Sequence, residues 1–380
     1  MSMPRTRARG PLLTPRGLRH AFSRLAPAAF LGVMPAALLV LAIVGAARRD
    51  QLAVDFHHEL YPQAQLMLDG KNPFPSPDAD ITDTTNNVWP VSAVILVLPF
   101  AVLPSELADW AMTAAVVATL VSALLVAGVR DWRVFGAVCY WPPVVNAVQT
   151  ANLTLPLCLL AALAWRTRER RFAPGAAVGV AVAVKFFLWP LTPWLLVRRR
   201  VAAAVVAVAI VSGSLLLITP FIGLADYARV LGNLSDTFDG LGYTLYALLT
   251  DLGVQEHVAK AAWLVLGLTA LAVARRRSFA LALGASLLLS PIVWLHFLAL
   301  LAVPLAVVRP RFTPVWLAPL LLWLVPGTGN GQTWQTALTL VVLLGLLAYC
   351  VRAEAAGETG DSPRTLNRAA SRQAVAASRP

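Results

Sequence analysis

PGAAVGVAVAVKFFLWPLTPWLLVRRR, residues 174–200, is apolar throughout except for Lys185, a single threonine, Thr192, in the aromatic half and a closing run of three arginines. Another basic cluster, Arg166, Arg168, Arg170 and Arg171, stands just before it. Lys and Arg gather in the cytoplasmic loops of membrane proteins, so both ends of the stretch are expected on one face of a bilayer. Residues 174–197 reach only about 36 Å as one helix, too little to cross about 30 Å of hydrocarbon twice. The stretch therefore predicts a V-shaped pair of half-helices, broken near Trp189-Pro190, that carries Lys185 deep into the membrane.

The rest of the chain agrees with a membrane fold. Of 380 residues, 58% are hydrophobic and 13% charged, with a mean hydropathy of +0.69, which excludes a soluble globular domain. The net charge of +12 is distributed as short clusters at the ends of apolar runs, including Arg198 to Arg200, Arg275 to Arg277, Arg309 and Arg311. No contiguous basic domain exists for nucleic acid, so no nucleic-acid partner is expected. Cys139, Cys158 and Cys350 have neither disulfide nor metal-ligand spacing and read as small apolar residues.

These signals predict an all-α polytopic membrane protein with about 10 transmembrane helices plus two broken or re-entrant segments. Residues 1–26 form a basic cytoplasmic tail, carrying Arg5, Arg7, Arg9, Arg16, Arg19 and Arg24, before an uncleaved signal-anchor helix. A transmembrane domain spans 27–351, with acidic outer loops at 48–88 and 223–257. Apolar runs at about 88–104 and 107–129 form a hairpin around the turn PSEL. Residues 133–165 combine a re-entrant piece from the outer face with one crossing at about 150–165, which leaves Arg130 and Arg133 outside. Further crossings follow at about 201–222, 258–274, 278–290, 291–308, 313–327 and 334–351. Residues 352–380 have the composition of a disordered cytoplasmic tail.

Polar groups in apolar context mark the chemistry. RRDQLAVDFHHELYPQAQLMLDGKNPF, residues 48–74, places Asp55 beside His57, His58, Glu59 and Tyr61 directly after the first apolar run. A carboxylate kept at a membrane exit points to the handling of something polar. Glu59 taken alone reads as an ordinary loop charge, and His57 and His58 as bystanders. Lys185 at depth costs at least about 2.5 kcal/mol on insertion scales, so a partner anion such as a lipid phosphate is the better reading over snorkelling. His296 is either a packing residue or a ligand group, and Gln149 with Asn152 either binds a sugar or satisfies a broken helix. Together they describe a polar cavity opening outward. No nucleotide-phosphate loop, zinc motif or Gly-rich fingerprint accompanies them.

In this order the segments resemble glycosyltransferase family 87, membrane enzymes of the glycosyltransferase C superfamily that use polyprenyl-phosphate sugars. The family's Asp, Tyr and Gly-x-x-Pro-aromatic block is similar to Asp55, Tyr61 and Gly70-Lys71-Asn72-Pro73-Phe74. A Pro-containing segment leading to a Gly-Gln-x-Asn-like element resembles Pro142-Pro143 through Asn152, with Val148 where Gly is usual and a longer Gln–Asn spacing. The Gly-rich helix ending in Lys, then Pro and a basic cluster, resembles Gly175, Gly179, Lys185, Pro190 and Arg198 to Arg200. The late Ser-Pro-x-x-Trp-x-His element resembles Ser290-Pro291, Trp294 and His296.

The resemblance implies a GT-C-like fold and inverting transfer of mannose from polyprenyl-phosphate-mannose to a lipid-linked glycan acceptor on the outer face. Asp55 is the implied general base. Lys185 and His296 are implied at the donor phosphate, and Tyr61, Gln149, Asn152 and Trp294 at the sugar or acceptor. No cofactor and no metal enter this scheme, and its partners are the two lipid-linked substrates and membrane lipids. The Arg- and Ala-rich composition fits a high-GC actinobacterium, with the protein multi-pass in the plasma membrane. Two competing readings are a transporter or flippase of a lipid-linked sugar, which inverted repeats would favour, and a non-catalytic assembly subunit.

Overall fold

The computed structural model describes residues 27–80, 88–238, 240–274, 278–327 and 331–357. The tail 1–26, Asp83, Asp239, Arg275 to Arg277 and the tail from 358 onward lie outside the described residues. Every regular element among the described residues is helical. In hydrocarbon this is the expected solution, because a helix satisfies its backbone polar groups within one segment.

Among the described residues four helices are, by length and composition, long and apolar enough to cross a membrane alone: Ala29–Ala47, Ser105–Val126, Glu256–Val273 and Thr333–Ala355. A fifth span results if Pro142–Gln149 and Thr154–Arg166, bent by 119°, count as one. The remaining apolar helices of the expected ten are shorter, at 10–17 residues. Two of them recover length by tightening: Leu295–Leu301 and Pro314–Leu324 are 3₁₀ helices, which rise about 2.0 Å per residue against 1.5 Å in an α-helix. Pro304 and Pro319 favour this, since neither can donate the α-helical bond four residues back. In the spans Ala29–Ala47 and Glu256–Val273 only 11% of residues are buried, so their flanks are left for lipid.

The bundle has a basic end and a cavity end. At the basic end Arg198 and Arg200 pair with Glu169, Trp165 and Trp194 pack on Phe279, and Ser278 bonds Glu354. Arg309 bonds the Tyr349 hydroxyl there as well. Asp131 accepts from Phe312 N at 3.0 Å, and Gly136 lies against the backbone of Leu31. Arg130 and Arg133 therefore sit beside the Arg309–Arg311 cluster, not at the opposite face. Arg133 is neutralised by a two-point contact with Asp131.

The physical cause of this correction is the Val91–Ala101 helix. Its 11 residues reach only about 16 Å. Both of its ends stay against the 56–68 segment, through Trp89 on Glu59 and Gln65 on the Ala101 carbonyl. Hence the expected 88–104 crossing is absent, and Ser105–Val126 alone makes that passage. The chain then returns to the cavity end through Trp132–Cys139 and Pro142–Gln149, and Thr154–Arg166 descends again.

Two further expectations change. The 48–88 loop contains a helical stretch, Phe56–Leu60 continuing into Tyr61–Leu68, and the described part of the 223–257 loop is largely helical, with Leu224–Thr237 and Leu245–Asp251. The break in 174–200 falls at Lys185, which is extended (φ −150, ψ 106) after the Ala173–Val184 helix. Pro190 explains it: an α-helix through 186–190 would drive the proline ring into the Phe186 carbonyl, so the helix yields upstream. A 3₁₀ turn, Phe186–Leu188, bridges to Leu191–Val197.

Candidate functional site

The segment after the first helix is pinned by its backbone. Ala53 N donates to the Gln149 carbonyl at 2.7 Å and Asp55 N to the Thr150 carbonyl at 3.1 Å. This docking uses two left-handed alanines, Ala53 (φ 58) and Ala151 (φ 49), both fully buried. A non-glycine residue in that region is strained by about 1–2 kcal/mol, and such strain gathers at functional sites. From Phe56 to Leu60 the helix widens to i→i+5 bonding, with Phe56 and Leu60 fully buried behind it. Such widened turns are frequent at functional sites. Asp55 and Glu59 both face a cavity of about 920 Å³.

Lys185, Gln149, Asn152, Trp294 and His296 line that same cavity, so the structure brings together six of the seven site residues expected from sequence, Asp55 included. Tyr61 is the exception. Its hydroxyl donates to the Leu103 carbonyl at 2.9 Å and its ring packs edge-on to Phe56, so it anchors the helix from behind the cavity. His57 also turns away, pairing with Asp109 at 2.8 Å.

Asn152 donates from Nδ2 to Asp55 Oδ2 at 2.5 Å. Its own carbonyl oxygen accepts from Thr154 N at 2.9 Å and Thr154 Oγ1 at 2.7 Å, which fixes the amide so that its donor side meets the carboxylate. Burial pushes the Asp55 carboxyl up from its ordinary range, while the Asn152 bond and the Lys185 charge pull against that. Glu59 is pushed up to about 7 by burial and by the neighbouring Asp55 charge, against the Trp89 bond and the Lys185 charge.

Lys185 projects from the helix break, with Nζ 3.9 Å from the centre of the Phe297 ring and 4.7 Å from that of Trp89. His296 meets the Asn146 side-chain oxygen through Nδ1 at 3.2 Å. Its Nε2 is buried with no hydrogen-bond partner among the described residues. Gln149 reaches the Ala42 carbonyl at 3.3 Å, and Trp294 stands edge-on to Phe238. The wall continues as apolar surface through Phe186, Phe187, Trp189, Leu231, Leu234 and Phe238. Among the described residues no three His, Cys, Asp or Glu side chains converge as a metal-binding group.

Sequence reasoning passed over Glu59, Trp89 and Asn146. Two of them carried a signal in their spacing: Glu59 stands four residues after Asp55, and Asn146 three before Gln149, both helical intervals. Trp89 lay beyond that kind of reading, since it comes from a separate segment.

No curated protein and no solved structure matches the chain. The family model described as Glycosyltransferase family 87 matches residues 87–304, more than half of the chain. The matched stretch contains Trp89, Asn146, Gln149, Asn152, Lys185, Trp294 and His296, while Asp55 precedes it. With the match covering that share of the residues, and most of the cavity wall within it, the chain belongs to glycosyltransferase family 87.

Proposed function

We propose that this glycosyltransferase moves mannose, with inversion, from polyprenyl-phosphate-mannose to a lipid-linked glycan on the outer face of the plasma membrane. One observation carries the reading: Asp55, Lys185 and His296 line a single cavity with an apolar extension. Such a cavity suits a substrate with a sugar phosphate at one end and a prenyl chain at the other.

In this scheme Asp55 takes the proton of the acceptor hydroxyl as that oxygen attacks C1 of the sugar. Attack comes from the side opposite the phosphate. The C1–O bond breaks with its electron pair leaving on the phosphate, so the configuration inverts. A lipid phosphate is already a good leaving group and needs no strong acid. Lys185 and His296 offset the charge that grows on it. Gln149, Asn152 and Trp294 face the sugar and acceptor, with Asn152 also holding the Asp55 carboxylate.

The test uses purified full-length protein in proteoliposomes, given polyprenyl-phosphate-linked mannose, glucose or arabinose and a panel of mannosylated lipids. Transfer is expected with the mannose donor. Asp55→Asn is expected to lower turnover about 10³-fold while the protein elutes as wild type by size exclusion. Retained transfer would remove Asp55 as the base. A flippase would instead carry label across the bilayer without an acceptor and tolerate Asp55→Asn.

A further inference from the structure

No carboxylate is in ion-pair contact with the Lys185 ammonium, although Asp55 and Glu59 act on it electrostatically from across the cavity. Among the described residues it forms no ion pair; its contacts are the faces of Trp89 and Phe297. The arrangement keeps the charge available, because a lysine locked onto a carboxylate has to break that pair before it can meet an incoming phosphate. Cation–π contact attracts the ammonium to the ring faces without neutralising its charge.

The two rings are each held from behind. Phe297 stacks on Phe187 with centres 4.9 Å apart. Trp89 donates Nε1–H to Glu59 Oε2 at 2.6 Å, a short charge-assisted geometry. Glu59 itself rides on the widened turn that begins at Asp55.

We infer that Glu59 is a positioning residue for the donor-phosphate site: through the indole N–H of Trp89 it fixes one wall of the aromatic cage that aims the Lys185 ammonium into the cavity. The inference rests on the reading of Lys185 as the donor-phosphate group. It gives the turn two functions, the base from Asp55 and alignment of the opposite charge from Glu59. A rigid tie between the two keeps the acceptor base and the phosphate anchor in register, which matters because a misplacement of 1 Å can cost about a hundredfold in rate.

The experiment measures equilibrium binding of polyprenyl phosphate and of polyprenyl-phosphate-mannose to full-length protein in nanodiscs. Lys185→Met is expected to weaken both. Glu59→Leu is expected to weaken both about tenfold, the scale of one lost cation–π wall. Glu59→Gln keeps an acceptor for the indole and should restore binding to within about threefold. Trp89→Phe keeps a ring but loses the tether and should bind as Glu59→Leu does. The double variant Glu59→Leu/Lys185→Met should bind no worse than Lys185→Met alone, because Glu59 acts only through the lysine.

Unchanged binding in Lys185→Met overturns the donor-phosphate reading itself. Weakened Lys185→Met with normal Glu59→Leu, or with normal Trp89→Phe, overturns only the positioning role. Glu59→Gln as weak as Glu59→Leu also overturns it, since the charge and not the hydrogen bond would then be at work. Should Glu59→Leu fail to fold, Glu59→Gln and Trp89→Phe decide alone.

Discussion

Asp55 and Glu59 occupy one turn, yet their surroundings set them apart. Burial raises both carboxyls, but Asp55 also meets the Asn152 amide, which works against that rise by favouring the ionised form that a base requires. Glu59 has the Trp89 indole and the Lys185 charge against burial and the neighbouring Asp55 charge, and it rises from an ordinary 4.5 to about 7. Between those two values the folded protein holds a proton that the unfolded chain releases. Stability is therefore fully retained below pH 4.5 and declines as pH climbs through about 7. Glu59→Gln removes this titration. Thermal unfolding in detergent should show a fall in Tm of about 5 °C across that window in wild type and a flatter profile in the variant. Parallel profiles would mean that Glu59 is ionised in the folded protein throughout.

At the scale of the element, the helix that ends at Lys185 is built for close approach. A Cβ on Gly175 would lie 2.0 Å from the Ala203 carbonyl oxygen, and one on Gly179 would lie 2.9 Å from the Ala207 Cα. The spacing of four in both helices is the small-residue contact that lets membrane helices pack backbone to backbone. Gly175→Leu should separate Ala173–Val184 from Val201–Leu216, with loss of folded protein on size exclusion and of donor binding. Gly213→Leu, where nothing lies within 4 Å, is the control and should leave both intact. Equal yields from the two variants would mean that this contact does not hold the helix pair. The pair was legible in sequence as a Gly-rich run ending in lysine. The position of its break was not, because Trp189-Pro190 drew attention to the proline, whereas the steric conflict acts four residues earlier at Phe186. The 223–257 segment was legible too, since Tyr227, Val230, Leu231, Leu234 and Phe238 recur at helical intervals; its acidic residues drew the reading toward a loop.

For the whole molecule, apolar composition made an all-helical membrane fold plain, and the convergence of Asp55, Asn152, Lys185 and His296 followed the order of motifs along the chain. The number of passages did not follow, because a run of apolar residues does not reveal whether its helix stands across the bundle or lies along one end. Val91–Ala101 is such a case: by composition it is a span, but at 11 residues its ends remain with one helix pair. Its removal from the count moves Arg130 and Arg133 to the end where Arg198, Arg200 and Arg309 gather, and the charge pattern becomes consistent. All of these basic groups then lie at one end and the cavity at the other, and the positive-inside rule predicts from this that the cavity opens on the non-cytoplasmic side. Single-cysteine labelling tests this in cells after Cys139, Cys158 and Cys350 are replaced by serine. A membrane-impermeant maleimide should react with Asp69→Cys, beside the cavity-end helix Tyr61–Leu68, in intact cells, and with Arg170→Cys only after permeabilisation. Arg130→Cys is the discriminating position: protection in intact cells agrees with one basic end, whereas labelling there would return the short Val91–Ala101 helix to the role of a crossing and split the arginines between two faces.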